Sequence, residues 1–209
     1  MKIILASNSP RRKELLSGLG LDYEVRTLQG LDESYPEGLS MEEIPQYISR
    51  KKAMAYTLGA DELLITADTI VYLEGEVLGK PADETEAKEM LRKLSGKTHQ
   101  VVTGVTLKAS PDPSKGGENG GNKTPSLLER DGVRLHSFAC VSQVTFAKLT
   151  EAEIDHYVTQ YRPLDKAGAY GIQEWIGYIG VTSLEGSYFN VMGLPVQRLY
   201  SEMKKLNLI

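Results

Sequence analysis

The stretch KIILASNSPRRKELLSGLG, residues 2–20, predicts a strand, a tight turn and a helix in immediate succession. The apolar run over residues 2–6 is typical of a short buried strand, and the sequence Ser-Asn-Ser-Pro ends it. Ser9 is a favourable N-cap and Pro10 suits the first helical position, so the helix is predicted to begin there and to end at Gly20. A strand that passes directly into a helix is typical of an α/β fold.

The rest of the chain continues this alternation. The predicted elements after the first helix are a helix from Ser40 or Pro45 to Leu58, a strand over 63–73, a helix over 84–94, a strand over 99–107, a strand over 137–149, a helix opened by Thr150 and a final amphipathic helix. Glu153 stands at capping-box spacing from Thr150. We therefore predict an α/β sheet with flanking helices.

Residues 110–126, SPDPSKGGENGGNKTPS, interrupt the alternation. Their Gly, Pro, Asn and Ser content cannot bury enough apolar surface to fold alone, so we predict a flexible inserted loop without a chemical role. The chain of 209 residues is long enough for one sizeable core. We predict a single domain over residues 1–209.

Charge and hydropathy exclude some classes of partner. A formal net charge of −4 gives no basic field for non-specific nucleic-acid binding. No segment approaches the roughly 20 apolar residues of a membrane span, and the start has no hydrophobic region long enough for a signal peptide. A single cysteine, Cys140, fits a reducing compartment. We expect a soluble cytoplasmic protein with no nucleic-acid or membrane partner.

The predicted start of the first helix carries four polar side chains, Ser7, Ser9, Arg11 and Arg12. Unpaired backbone N–H groups and the positive end of the helix dipole favour an anion there, and arginine matches phosphate oxygens geometrically. The alternative is that both arginines are solvated. Cations at a helix N-terminus are mildly unfavourable, however, which argues for a bound anion.

Two charged residues fall where the pattern predicts burial. Asp68 lies inside the apolar strand over 63–73, so we expect a cation to face it. It is either catalytic or a structural carboxylate bonded to a turn or a lysine. Lys52 lies on the inward face of the second helix, where it either extends along the helix to solvent or points into a phosphate-filled cleft.

Lys80 and the pair Asp32-Glu33 are each typical of solvated surface charges when taken alone. Polyphosphate hydrolysis requires both kinds of group together. Carboxylates hold Mg²⁺ and orient water, and cations stabilise the negative charge that develops on the phosphoryl oxygens. Other catalytic templates are absent from the sequence: it has no HExxH, no Walker A sequence and no G-x-S-x-G elbow.

The motifs that carry these residues resemble those of the Maf family of nucleoside triphosphate pyrophosphatases. They occur in family order as ASNSPRRKELL, ADTIV with GEVLGKP, LSGKTHQVVTGV, PLDKAGAYGIQ and EGSYFNVMGLP. The resemblance implies a Maf/ITPase-like mixed sheet with flanking helices, forming two lobes around a substrate cleft. It also implies a homodimer that uses Mg²⁺, with Mn²⁺ as the alternative, to hydrolyse nucleoside triphosphates to the monophosphate and pyrophosphate.

The resemblance also implies roles for single residues. Asp68 matches the proton acceptor that activates water for attack on the α-phosphorus, and Glu33 matches a metal-coordinating carboxylate beside it. Ser7 belongs to the same phosphate-binding motif as the two arginines. The cations that contact the triphosphate are Lys52, Lys80 and Arg11. The positions tied to base selection are Arg12, Thr69 and Gln173.

The combination of GIQ with GSYFNVMGLP is similar to the branch of the family that acts on dTTP and UTP. The alternatives are a house-cleaning pyrophosphatase for modified nucleotides such as 7-methyl-GTP, and a non-catalytic nucleotide-binding regulator of septum formation. The sequence departs from the family pattern at Arg162, where Glu is common, and at Glu174 and Trp175, where glycines are usual. These departures lie near the expected base end of the site.

Overall fold

A computed structural model describes residues 1–110, 128–130 and 133–209. The loop predicted over 110–126 therefore lies outside the described residues, apart from Ser110. The Ser110 hydroxyl donates a hydrogen bond to the Gly59 carbonyl and its backbone N–H donates to the Glu62 carbonyl at 3.3 Å. Both contacts lie directly after the strand Thr98–Ala109.

Helices and strands alternate as predicted. The helices are α1 (Pro10–Ser17), α2 (Glu43–Met54), α3 (Glu84–Leu94), α4 (Glu151–Tyr161), α5 (Trp175–Gly180), α6 (Tyr188–Val191) and α7 (Val196–Lys205), with a short 3-10 helix at Ala167–Ala169. The strands are β1 (Lys2–Leu5), β2 (Tyr23–Val25), β3 (Glu62–Leu73), β4 (Glu76–Leu78), β5 (Thr98–Ala109), β6 (Leu128–Arg130), β7 (Val133–Phe146) and β8 (Val181–Glu185).

The strands form a mixed sheet. The main order is β2-β1-β3-β5-β7-β6, with β4 paired to β3 and β8 paired to β7. β1 runs parallel to both β2 and β3, whereas the β3-β4, β6-β7 and β7-β8 pairs are antiparallel. The predicted mixed α/β sheet with flanking helices is confirmed.

Local capping explains where the helices begin. The Ser9 hydroxyl accepts a hydrogen bond from the Arg12 N–H, with Pro10 at the first helical position, as the sequence predicted. α1 ends at Ser17 rather than at Gly20. The predicted capping box of Thr150 and Glu153 is present at the start of α4.

The second helix is shorter than predicted: it ends at Met54, whereas the sequence predicted an end at Leu58. The buried Lys108 ammonium donates hydrogen bonds to the carbonyls of Ala53 and Tyr56 at 3.2 and 2.5 Å. These carbonyls stand at the C-terminal end of α2, where a cation is favourable. A tertiary contact from β5 therefore terminates the helix.

The described chain forms two compact units. The first contains Met1–Asp68, Gly104–Ala139 and Leu194–Ile209, and the second contains Thr69–Thr103 and Cys140–Gly193. In the first unit, α2 packs on the sheet through a cluster that includes Ile4, Ala53, Tyr56 and Leu64. In the second unit, the rings of His99, Phe146 and Tyr170 pack edge to face. The predictions of a single domain and of a cleft between two lobes stay predictions.

Among the residues that the structure describes, no helix combines the length and the apolar character needed to cross a bilayer.

Candidate functional site

The turn between β1 and α1 directs Arg12 toward β3. Ser7 is buried, and its hydroxyl oxygen accepts a hydrogen bond from the Ser9 N–H at 3.2 Å. Arg12 Nη1 donates to the carbonyl of Ala67 at 2.8 Å. Ala67 immediately precedes Asp68, so the first turn of α1 brings a guanidinium group beside the carboxylate that the sequence singled out.

Lys52 joins the two carboxylates of the predicted site. Its ammonium nitrogen lies 2.7 Å from Asp68 Oδ1 and 2.8 Å from Glu33 Oε1. The side chains of Lys52 and Asp68 are each 12% exposed, whereas that of Glu33 is 46% exposed. The expectation that a cation faces Asp68 is confirmed, and Lys52 points to this carboxylate instead of extending to solvent.

A second lysine, Lys51, holds the loop that supplies Glu33. Its ammonium nitrogen lies 2.6 Å from Asp32 Oδ2 and 3.0 Å from the Ser34 carbonyl. Two consecutive lysines of α2 therefore bind two consecutive carboxylates of one loop. Sequence reasoning missed Lys51, although the matching dipeptides Lys51-Lys52 and Asp32-Glu33 were a usable signal.

Electrostatic interactions extend this cluster to the arginines. Burial lowers the pKa of the Arg12 guanidinium, while attraction to Asp68 and Glu33 opposes this effect and repulsion from Arg11 adds to it. The first unit thus gathers three cations, Arg11, Arg12 and Lys52, around two carboxylates. The excess of positive charge suits a polyanionic ligand.

The donor set fits a divalent cation such as Mg²⁺. Glu33 and Asp68 present carboxylate oxygens to one point, the Lys52 nitrogen, within 2.8 Å. Mg²⁺ is commonly held by one or two carboxylates, with water and substrate phosphates completing the octahedron. Within the described ranges, no group of three or more His, Cys, Asp or Glu residues could hold a metal. Two carboxylates leave coordination positions that water and phosphate oxygens can fill.

The second unit contains the other three predicted residues. The Thr69 hydroxyl is hydrogen-bonded to that of Thr103 at 2.9 Å, and Thr103 donates to the buried Asn190 carbonyl at 3.0 Å. Lys80 is exposed two residues after β4. Its neighbour Gly79 accepts a hydrogen bond from the Gly168 N–H at 3.0 Å, which ties this segment to the motif that carries Gln173.

Gln173 lies in the irregular segment 170–174 between the 3-10 helix and α5. Its Oε1 is buried, and in the part of the chain that the structure describes it has no hydrogen-bond partner. A buried acceptor without a partner costs about 1–3 kcal/mol, so native proteins usually satisfy such an atom with an ordered water or a ligand. Gln173 therefore offers an acceptor for a ligand's N–H group.

The departures from the family pattern occupy two different environments. Arg162 is 70% exposed at the C-terminal end of α4, with Nε 3.7 Å from Glu84 Oε1. The Trp175 ring meets that of His156 edge to face, with centroids 4.8 Å apart. Glu174 is bonded to Tyr157 and Lys166, a network that the sequence did not reveal.

A match to the protein family described as Maf-like protein spans residues 2–206. The chain belongs to the Maf-like protein family. It is 59% identical to a protein of Phocaeicola vulgatus named dTTP/UTP pyrophosphatase, over 98% of this chain and 96% of that protein. It is 56% identical to a Bacteroides fragilis protein of the same name, again over 98% of this chain and 96% of that protein.

Among solved structures, that of a nucleoside-triphosphatase/dITP/XTP pyrophosphatase from Mycobacterium abscessus aligns with 100% of this chain and 97% of that chain. The TM-score is 0.40 and the identity 17%, so no residue role is transferred from it to this Maf-like protein. The family predicted from the sequence motifs is confirmed. The relatives also bear the name of the predicted branch.

Proposed function

We propose that this Maf-like protein is a pyrophosphatase that hydrolyses dTTP and UTP to the nucleoside monophosphate and pyrophosphate. The observation that carries the proposal is 59% identity, over 98% of the chain, to a relative named dTTP/UTP pyrophosphatase. The charge cluster of the first unit supports it, because carboxylates and cations meet there as phosphoryl transfer requires.

In the proposed reaction, Asp68 accepts the proton of the water that attacks the α-phosphorus. The new bond joins the water oxygen to that phosphorus, and the bond to the bridging oxygen of the leaving pyrophosphate breaks. Lys52 donates to Asp68 Oδ1 at 2.7 Å, so we assign the proton-accepting role to Oδ2. The Lys52 contact also holds the carboxylate in one orientation.

Arg11, Lys52 and Lys80 are proposed to contact the triphosphate, with Ser7 in the same binding turn. Their positive charges would stabilise the negative charge that develops on the departing pyrophosphate. The excess of cations in the first unit supports this role for Arg11 and Lys52. For Lys80, the support is the sequence motif alone.

Glu33 and Asp68 are proposed to hold Mg²⁺, with Mn²⁺ as the alternative. Bound there, the ion would neutralise charge on the phosphoryl oxygens. The Lys52 contacts with both carboxylates keep the two groups close together before substrate binds.

Base selection is proposed to involve Arg12, Thr69 and Gln173. The buried Gln173 Oε1 supports this, because uracil and thymine both carry an N3–H donor that this acceptor can bind. Cytosine has an unprotonated N3 at the same position, which would face the acceptor unfavourably. A homodimer and a cytoplasmic location stay predictions from the family resemblance.

The test is pyrophosphate release by the purified protein from dTTP, UTP, CTP, GTP and 7-methyl-GTP, with Mg²⁺, with Mn²⁺ and with EDTA. We expect metal-dependent turnover of dTTP and UTP well above that of the other nucleotides. Turnover confined to 7-methyl-GTP would refute the base assignment and keep the reaction. Inactivity with every nucleotide and metal would refute the enzyme and favour a nucleotide-binding regulator.

A further inference from the structure

A buried hydrogen-bond network lies behind the segment 170–174, which we call the Gln173 loop. At its centre is Tyr157 of α4, which is fully buried. The Tyr157 hydroxyl accepts a hydrogen bond from the Gly171 N–H at 3.0 Å and donates one to Glu174 Oε2. One hydroxyl group therefore bonds to both ends of the turn that contains Gln173.

Glu174 is held from a second side by a lysine. Its Oε1 lies 3.1 Å from the ammonium nitrogen of Lys166, whose side chain is 8% exposed. Lys166 also pairs with Asp165 at 2.7 Å, but the Asp165 side chain is 59% exposed. A carboxylate that accepts from a buried hydroxyl and a buried ammonium is fixed in orientation more firmly than one paired at the surface.

The side chains of Glu174 and Gln173 lie together over Gly171. A Cβ atom added to Gly171 would stand 2.9 Å from Glu174 Cδ and 3.0 Å from Gln173 Nε2. Both side chains therefore occupy the space that only a glycine leaves open. Because they share this small space, the position of the Gln173 amide depends on where the Glu174 carboxylate lies.

Backbone hydrogen bonds alone do not account for this placement. The Glu174 N–H donates to the Gly171 carbonyl at 2.9 Å, and the Gly177 N–H donates to the Glu174 carbonyl at 2.8 Å. These bonds shape the turn and the start of α5, but they leave the rotamer of Gln173 undetermined. The Glu174 side chain, which lies beside the Gln173 amide over Gly171, is the neighbour that can limit this rotamer.

We propose that Glu174, held by Tyr157 and Lys166, is a positioning residue that fixes the Gln173 amide for recognition of the pyrimidine base. The inference rests on the proposed function, because Gln173 must contact the base for its orientation to matter. Gln173 Oε1 is buried and has no hydrogen-bond partner among the described residues, so it can accept from the N3–H donor of uracil or thymine once the base lies against the Gln173 loop. Loss of the network would let the amide rotate or withdraw, which weakens discrimination against cytosine.

The experiment is a double-mutant cycle with Glu174→Ala, Gln173→Ala and the double variant, assayed by pyrophosphate release from UTP and CTP. We expect Glu174→Ala to lower kcat/KM for UTP roughly tenfold, mainly through KM, and to lower the UTP/CTP ratio of kcat/KM. In the Gln173→Ala background, the same substitution should have little further effect on the ratio. Tyr157→Phe, a smaller change, should shift the ratio in the same direction.

The matched control is Glu151→Ala, which removes a glutamate of α4 whose side chain is 64% exposed and pairs with Arg92 at 2.8 Å. This control should leave the UTP/CTP ratio unchanged. Partial restoration by Glu174→Gln is expected, because an amide oxygen can still accept from the Tyr157 hydroxyl.

Two results would overturn the inference. The first is a Glu174→Ala enzyme with the wild-type UTP/CTP ratio, whether kcat/KM is unchanged or falls equally for both nucleotides, since an equal fall indicates a merely structural role. The second is an effect of Glu174→Ala on the ratio that is fully retained in the Gln173→Ala background. Wild-type protein that hydrolyses neither nucleotide would refute the proposed function itself, so the two failures are distinguishable.

Discussion

Asp68→Asn tests the proposed proton acceptor with the smallest possible change of shape. The side chain is 12% exposed, and the amide that replaces it can still accept the hydrogen bond from Lys52 through its oxygen. It cannot take a proton from water. Since a positioned general base contributes about 10²–10⁴-fold, we expect kcat to fall by that factor, which is about 2.7–5.4 kcal/mol in the barrier.

The same change has a bounded effect on stability. Removing one partner of a fully buried ion pair costs about 3–5 kcal/mol, because the other charge is left uncompensated. Lys52 retains Glu33 at 2.8 Å, however, so its charge stays paired. We therefore expect the free energy of unfolding to fall by only about 1–2 kcal/mol. Urea unfolding of wild-type and variant proteins measures this difference.

The control is Asp155→Asn, which removes an aspartate paired with Lys88 at 2.8 Å. The distance resembles that of the Lys52–Asp68 pair, but the Asp155 side chain is 55% exposed, so neither kcat nor stability should change measurably. Nucleotide binding by Asp68→Asn, measured by calorimetric titration, should remain detectable. An Asp68→Asn enzyme whose kcat lies within tenfold of wild type would refute the assignment of Asp68 as the base.

Three further substitutions test how the fold supports the site. Gly104→Ala would place a Cβ 2.3 Å from the Pro45 carbonyl carbon, so we expect a loss of about 1–3 kcal/mol or more in urea unfolding. Lys108→Met leaves the carbonyls of Ala53 and Tyr56 without their buried ammonium partner and should cost about 1–3 kcal/mol in the same assay. Burial lowers the pKa of His99 from 6.5 to about 4. Stability should therefore be full above pH 6.5 and fall by about 3 kcal/mol as pH decreases toward 4, and His99→Gln should remove this slope.

Each of these three has a control of the same residue type. Gly79→Ala adds a Cβ where nothing lies within 4 Å and should leave stability nearly unchanged. Lys93→Met removes a lysine that is 48% exposed, with an expected cost below about 1 kcal/mol. His156→Gln changes an exposed histidine and should keep the wild-type slope between pH 6.5 and 4. The argument for Gly104 would be contradicted by a Gly104→Ala protein as stable as wild type, and that for Lys108 by a Lys108→Met protein as stable as its control. The argument for His99 would be contradicted if His99→Gln kept the wild-type dependence of stability on pH.

Local signals in the sequence were sufficient for much of the fold. The N-cap at Ser9 and the capping box at Thr150 depend on residues one to four positions apart, and both are present. β2, Tyr23–Val25, was not predicted, because three residues are too few to display an alternating pattern. The end of α2 was also misplaced, since it depends on Lys108, more than fifty residues away.

The candidate site, like the fold, could be predicted from the sequence only in part. A carboxylate within an apolar strand requires a cation, so the need for a partner to Asp68 followed from the sequence. The sequence did not show that Lys52 binds Glu33 as well as Asp68, or that Lys51 binds the neighbouring Asp32. Both pairings depend on how the loop folds against the helix. The Tyr157–Glu174 bond joins α4 to the Gln173 loop through space, and nothing in the local pattern around either residue predicts it.

Lys52 reaches Asp68 only because α2 lies directly on β5. At Gly104 the backbone of α2 approaches so closely that no side chain fits, and Lys108 bonds to the carbonyl of Ala53, the residue that follows Lys52. Both contacts bear on the helix without touching the ion pair itself. A variant that lifts α2 from the sheet would therefore separate Lys52 from Asp68 while every proposed site residue is retained. Activity lost in Gly104→Ala should consequently appear in kcat, as the loss in Asp68→Asn does, and combining the two changes should cost less than the sum of their separate effects.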